Sequence, residues 1–204
     1  TEHAILWSGS ANSYVDLHAG GATYSRGRAI KGNEQVGETD LYVDTDPDAG
    51  SISVYSQAVL WHGTAASMVN LHPAGFTSSR ALATNGTQEG GWAYGTSGTH
   101  AMLWSGSAAS FIDLHPAGYF DTRVTAMSAT LQVGDGWVGG NAHAPGAHRQ
   151  ALAWIGSAAS VIDMNVYAPI GYTDAGATGI DAAGNVVADG LKRATSADDM
   201  PAEA

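Results

Sequence analysis

The chain predicts an all-β fold. Its expected form is a four-bladed β-propeller of four-stranded antiparallel blades, closed by an N-terminal and a C-terminal half-blade. Three observations predict it. One segment occurs four times: at His3 (HAILWSGSANSYVDLH), Gln57 (QAVLWHGTAASMVNLHP), His100 (HAMLWSGSAASFIDLHP) and Gln150 (QALAWIGSAASVID). The tryptophans of these copies, Trp7, Trp61, Trp104 and Trp154, stand 54, 43 and 50 residues apart, near the period of about 40–50 residues of propeller blades. Between them the segments are short, β-prone and broken by Gly, Ser, Ala or Asn, and none holds a helical period for ten residues.

Each unit reads as four strands. In the last full unit these are residues 123–127, 132–138, 150–154 and 160–164. The first strand is made of small residues in every copy (RGRAIKG from Arg26, RALATNG from Arg80, RVTAMSA from Arg123, GATGIDA from Gly176), as suits the crowded axis of a ring. The bulky Leu-Trp strand suits the wider gap between sheets. The chain opens with third and fourth strands (residues 3–18) and closes with first and second strands (residues 176–190). The two halves would make one blade and remove the exposed sheet edges. The expected boundaries are a half-blade at 1–20, blades at about 21–72, 73–115 and 116–165, a closing half-blade at 171–190, and a flexible tail at 191–204. A β-sandwich or a β-solenoid is the alternative architecture.

These residues resemble the HAF-type extracellular repeat of bacterial proteins. The likeness lies in Ile180-Asp181-Ala182-Ala183-Gly184-Asn185-Val186-Val187, in His3–Trp7 and His100–Trp104, and in Asp16-Leu17 and Asp113-Leu114. It spans about residues 3 to 190. The chain departs from that family in carrying Leu-His-Pro-Ala-Gly where the family usually has Leu-Gly-Thr-Leu-Gly-Gly. The resemblance implies a secreted or cell-surface protein and brings no catalytic residues with it.

Composition narrows the function. Eight basic against nineteen acidic residues give a net charge of −11, which argues against a nucleic-acid partner and an anionic membrane surface. No apolar run reaches the length of a membrane span. The chain has no cysteine, hence no disulfide framework, thiol nucleophile or thiolate metal site. No nucleophile elbow, phosphate loop, HExxH or dinucleotide fingerprint is present.

Candidate ligand residues follow from the repeat. Arg26, Arg80 and Arg123 each lie nine residues after the Leu of the crossing motif, with Gly176 breaking the series. They form either an anion pocket at the mouth of a central channel or repeated pairs with the crossing Asp16, Asp113 and Asp163. The crossing aromatics Tyr24, Phe76, Tyr119 and Tyr172 share that face; they stack on sugar rings or plug the gaps between blades. His18, His72 and His115, with Asn165 in the fourth copy, are equivalent positions, read as caps of the crossing turns. The expected insertion at 38–56 carries Asp44, Asp46 and Asp48 at the alternate spacing that Ca²⁺ favours. Its glycine falls one place late for an EF-hand loop, and a solvated acidic loop is the simpler reading. His143 and His148 form a weaker metal pair. No cofactor is required.

Together these point to a non-catalytic module binding carbohydrate or a surface protein through its loop face. The alternatives are an assembly protein of the cell surface, with its oligomeric state open, and an enzyme with an active site at the channel mouth.

Overall fold

A computed structural model describes residues 1–46 and 51–192. It is built of antiparallel sheets. β1 (Ile5–Leu6) and β2 (Val15–Asp16) form a two-stranded sheet. Three four-stranded sheets follow, each in chain order. The first holds β3 (Tyr24–Lys31), β4 (Glu34–Asp46), β5 (Ser51–Trp61) and β6 (Val69–Asn70). The second holds β7 (Ser78–Thr84), β8 (Glu89–Gly95), β9 (Gly98–Trp104) and β10 (Ile112–Asp113). The third holds β11 (Asp121–Met127), β12 (Gln132–Val138), β13 (His148–Trp154) and β14 (Ile162–Asp163). A two-stranded sheet of β15 (Tyr172–Ile180) and β16 (Val186–Lys192) ends the described chain.

Each sheet packs its apolar face on the next. Ala4 and Leu17 meet Val59 and Trp61. Leu60 and Leu71 meet Met102 and Trp104 of the second sheet. Leu103 and Leu114 meet Leu152 and Trp154 of the third, and Val133 and Ala151 meet Ala177. The three later repeat tryptophans are fully buried, each against the preceding sheet. Trp7, of the first copy, is 59% exposed.

Two local devices explain the repeat. The first is the serine that closes each Gly-Ser-Ala-Ala-Ser turn. The Oγ of Ser13, Ser67, Ser110 and Ser160 accepts from the N–H of Ser8, His62, Ser105 and Ile155, each at 2.8 Å. It also donates to a carbonyl three residues back. This winds residues 158–160 into a 3-10 turn, so the fourth strand is Ile162–Asp163 and not the expected 160–164. The second is a bulge in each first strand, at Gly27/Ala29, Ala81/Ala83, Val124/Ala126 and Ala177/Gly179. The bulge thrusts a carbonyl at the partner strand. A Cβ at Gly37, Gly91 or Gly134 would lie 1.8, 1.9 or 1.9 Å from the oxygen of Arg26, Arg80 or Arg123.

Two boundaries differ from expectation. Much of the stretch 38–56, expected to be a loop, is strand: β4 runs on to Asp46 and pairs with β5 from Ser51. Polar and apolar residues alternate along much of it, the period of a strand. At the far end Leu191 and Lys192 belong to β16 rather than to a tail; residues 193–204 lie outside the described part.

Candidate ligand site on the loop face

The crossings carry a relay between sheets. Asp16, Asn70, Asp113 and Asp163 each accept, through Oδ1, the N–H two residues on, at 2.7–2.8 Å. That turn presents His18, His72 and His115, whose Nδ1 meets the hydroxyl of Ser25, Ser79 and Thr122 at 2.9, 2.8 and 2.8 Å. The same hydroxyls accept the N–H of Ala4, Ala58 and Ala101 in the preceding sheet. In His72, Nε2 lies 3.0 Å from the Phe76 carbonyl. A carbonyl only accepts, so Nε2 carries the proton and Nδ1 accepts from Ser79. Burial holds His72 and His115 below the ordinary histidine range. In the last junction Asn165 Oδ1 takes the N–H of Ala151 directly at 2.8 Å. His72 thus caps its own crossing turn through Nε2, as the sequence suggested, and through Nδ1 all three histidines also staple sheet to sheet.

The arginine series pairs differently from the expected partnership with the crossing aspartates. Its partners stand on the second strand of the same sheet. Arg26 is in register with Glu38, Arg80 with Trp92, and Arg123 with Asp135. Arg26 Nη1 bonds Asp40 Oδ2 at 2.7 Å and Nε bonds Glu2 at 2.9 Å, and these carboxylates hold its guanidinium charged beyond its ordinary range. Arg28 forks onto Glu38, with Nε to Oε2 at 2.9 Å. Arg123 Nε bonds Asp135 Oδ1 at 2.8 Å. Glu38 and Asp40, expected in a solvated acidic loop, are buried against these guanidinium partners.

The gap in the series is filled from elsewhere. Arg149, on β13, reaches Asp135 Oδ2 with Nη2 at 2.5 Å and Nε at 3.0 Å. A Cβ at Gly176 would stand 2.2 Å from its Cζ. The glycine thus makes room for a guanidinium borrowed from the adjacent sheet. Arg26, Arg28, Arg80, Arg123 and Arg149 are five of the eight basic residues in the chain.

Arg80 is the exception among them. Its Nη2 bonds Ser56 Oγ at 3.3 Å, and its Cζ sits 5.3 Å from the centre of the Trp92 ring. Its Nε is buried and makes no hydrogen bond among the described residues; the Glu38 carboxylate is 3.9 Å away. Arg80 and Arg123 line a depression of about 480 Å³ with Ser56, Trp92, Tyr94 and Asp121.

Of the candidate aromatics, Tyr24 lies beside Arg26, with 6.0 Å from ring centre to Cζ. Phe76 packs into the core between the first and second sheets. Tyr119 packs against the next core and donates to Gln150 Oε1 at 2.7 Å. Tyr172 is exposed over a separate, largely apolar hollow with Tyr167 and Pro169. These four do not converge. The aromatics beside the arginines are Trp92 and Tyr94, missed because Trp92 breaks the run of acids at its register position.

Asp44 and Asp46 lie in β4, opposite Ile52 and Ser51, and Asp48 lies outside the described residues. Among the described residues no three His, Asp or Glu side chains gather to hold a metal ion. His148 stands 3.9 Å from Asp174.

No family model matches the chain, and comparison with curated proteins and with solved structures finds no match either.

Proposed function

We propose that the protein is a secreted or cell-surface β-propeller that binds an acidic carbohydrate on its loop face. The observation that carries the ligand is Arg80. Its side chain is 35% exposed, lies over Trp92 and lines a depression shared with Arg123 and Tyr94. A cation beside aromatic faces suits a sugar bearing a carboxylate or sulfate. The neighbouring arginines bond carboxylates directly, whereas Arg80 approaches Glu38 only at 3.9 Å, which leaves Arg80 as the binding cation. Support for the ring comes from the opposite face, where Lys31, Asn85, Ser128 and Asp181, one from each first-to-second-strand hairpin, line a single cavity of about 280 Å³. Support for closure comes from exposed Trp7 and Ile30 around a hollow beside β1, the place where β16 would complete the fourth blade. The HAF-type resemblance supports the surface location.

The test is calorimetric titration with oligogalacturonate, a sulfated glycan and neutral oligosaccharides. Binding of an acidic glycan, weakened at least tenfold in Arg80→Ala and in Trp92→Ala, supports the reading; equal affinity for neutral sugars sinks it. Closure is tested by amide exchange, which slows in β16 if it pairs with β1. Exposed Trp7 also favours a second reading, assembly through β16 of another copy. That reading requires exchange protection to depend on protein concentration.

A further inference from the structure

The turn between β8 and β9 places Ser97 beside a histidine–aspartate pair. Ser97 Oγ lies 2.9 Å from His100 Nε2, and His100 Nδ1 lies 2.7 Å from Asp113 Oδ2. The carboxylate only accepts, so Nδ1 carries the proton and Nε2 takes the Ser97 hydroxyl hydrogen bond. Nucleophile, base and orienting carboxylate thus stand in the order and spacing of a serine hydrolase. The base is held firmly: His115 stacks on it at 4.0 Å, and the edge of Phe76 approaches at 5.7 Å. Asp113 is fixed in turn by the His115 N–H at 2.8 Å. Ser97 itself is exposed.

The other junctions serve as internal comparisons. His3 and Asp16 repeat the pair at 2.7 Å, and the stacked His3 and His18 rings repeat the clamp. In the second copy the position is held by amides, Asn70 Nδ2 donating to Gln57 Oε1 at 2.8 Å, and in the fourth by Gln150, which accepts the Tyr119 hydroxyl. The fold therefore does not require an ionisable pair at this place, and among the described residues the junction after β8 is the one that sets a serine hydroxyl on a histidine–aspartate pair.

We infer that Ser97, His100 and Asp113 form an acyl-transfer site for carboxylic esters with small acyl groups, such as acetyl. Ser97 Oγ attacks the ester carbonyl carbon while His100 Nε2 takes its proton. The bond from carbon to the alkoxy oxygen breaks, and His100 returns that proton to the departing alcohol. Water then attacks the acyl-serine, giving a proton to His100 that passes back to Ser97 as the carboxylic acid leaves. Ester and water become acid and alcohol. Asp113 is a positioning residue that fixes the tautomer of His100. The exposure of Ser97 on its turn gives a small ester direct access to its hydroxyl. Tyr94 and Thr99, which flank the turn, line the depression described above and place an alcohol of sugar size within reach; that clause alone rests on the carbohydrate reading.

The test uses an alkyl fluorophosphonate and p-nitrophenyl acetate, neither of which needs carbohydrate binding. Peptide mapping should find one phosphonyl adduct, on Ser97, absent in Ser97→Ala. His100→Gln with Asp113→Asn rebuilds the natural Gln57–Asn70 pair, so melting temperature should hold while labelling and acetate hydrolysis fall at least about a hundredfold, the scale of general-base assistance. Absence of an adduct on Ser97 under excess probe overturns the inference, as does labelling unchanged in the double variant. Glycan binding that survives in Ser97→Ala separates this site from the arginine site.

Discussion

Glu89 is buried on β8 with one carboxylate oxygen bonded and one not. Its Oε2 accepts the Gly106 N–H at 3.0 Å, while Oε1 is buried without a partner among the described residues. In the flanking sheets the same position is glutamine: Gln35 Oε1 accepts from Gly63 at 2.7 Å and Gln132 Oε1 from Gly156 at 2.8 Å. Burial raises the pKa of Glu89 above the ordinary carboxylate value, with Glu34 nearby adding to the effect. A carboxylic acid whose folded pKa is raised contributes stability in full below its unfolded value. That contribution is lost as pH rises through the folded one. At neutral pH, above its unfolded value, the buried carboxyl no longer contributes that stability in full, and Glu89→Gln, which cannot ionise, should recover it while keeping the Gly106 bond. Relief of one buried, half-satisfied charged acceptor is worth about 1–2 kcal/mol, or a rise of about 2–8 °C in melting temperature for a chain of this size. Calorimetry of both proteins at pH 7 and pH 4 checks it, because the gain should shrink at pH 4, where the wild-type group is protonated. An equal effect at both pH values, or a loss at pH 7, would refute the reasoning.

Four more outcomes are expected. His72→Gln and His115→Gln should flatten the fall in stability between about pH 7 and pH 5. The depressed pKa of each buried histidine makes folding lose stability as pH drops through the unfolded value toward the folded one, and urea melts across that range read it. Gly134→Ala should destabilise by about 2 kcal/mol or more, since its Cβ would fall 1.9 Å from the Arg123 oxygen, whereas exposed Ala182→Ser should change little. Arg149→Ala removes one of the two cations at buried Asp135 and should cost about 2–3 kcal/mol in chemical denaturation. Thr122→Val keeps shape but removes the hydroxyl joining His115 to the Ala101 N–H; a loss of about 1–2 kcal/mol and faster amide exchange at Ala101 are expected.

The sheets were legible because the repeat is: four copies of a Leu-Trp segment at near-constant spacing leave few other ways to bury three tryptophans. Strand order and the small first strands followed from the same pattern. The pairing of the arginines was not legible, because it depends on which second-strand residue falls opposite each one after the bulge, and a bulge leaves no mark in composition. The 38–56 hairpin was misread for a related reason. Glu38 and Asp40 look like solvent-facing charge until Arg26 and Arg28 from the neighbouring strand are placed over them. Ser97 escaped notice because a Thr-Ser turn is ordinary and His100 already had a role in the repeat. Its meaning comes only from the 2.9 Å approach of the two side chains.

The hydroxyl relay has a consequence for how the molecule can be divided. Each link spans a fixed seven residues, from His18 to Ser25, His72 to Ser79 and His115 to Thr122, yet secures an N–H on the sheet before it. A chain cut at a sheet boundary would leave that amide and the histidine on one fragment and the hydroxyl that joins them on the other. The indivisible piece is the junction, two half-sheets and the crossing between them. Fragments made by cutting through the middle of sheets should retain order that fragments cut between sheets lose.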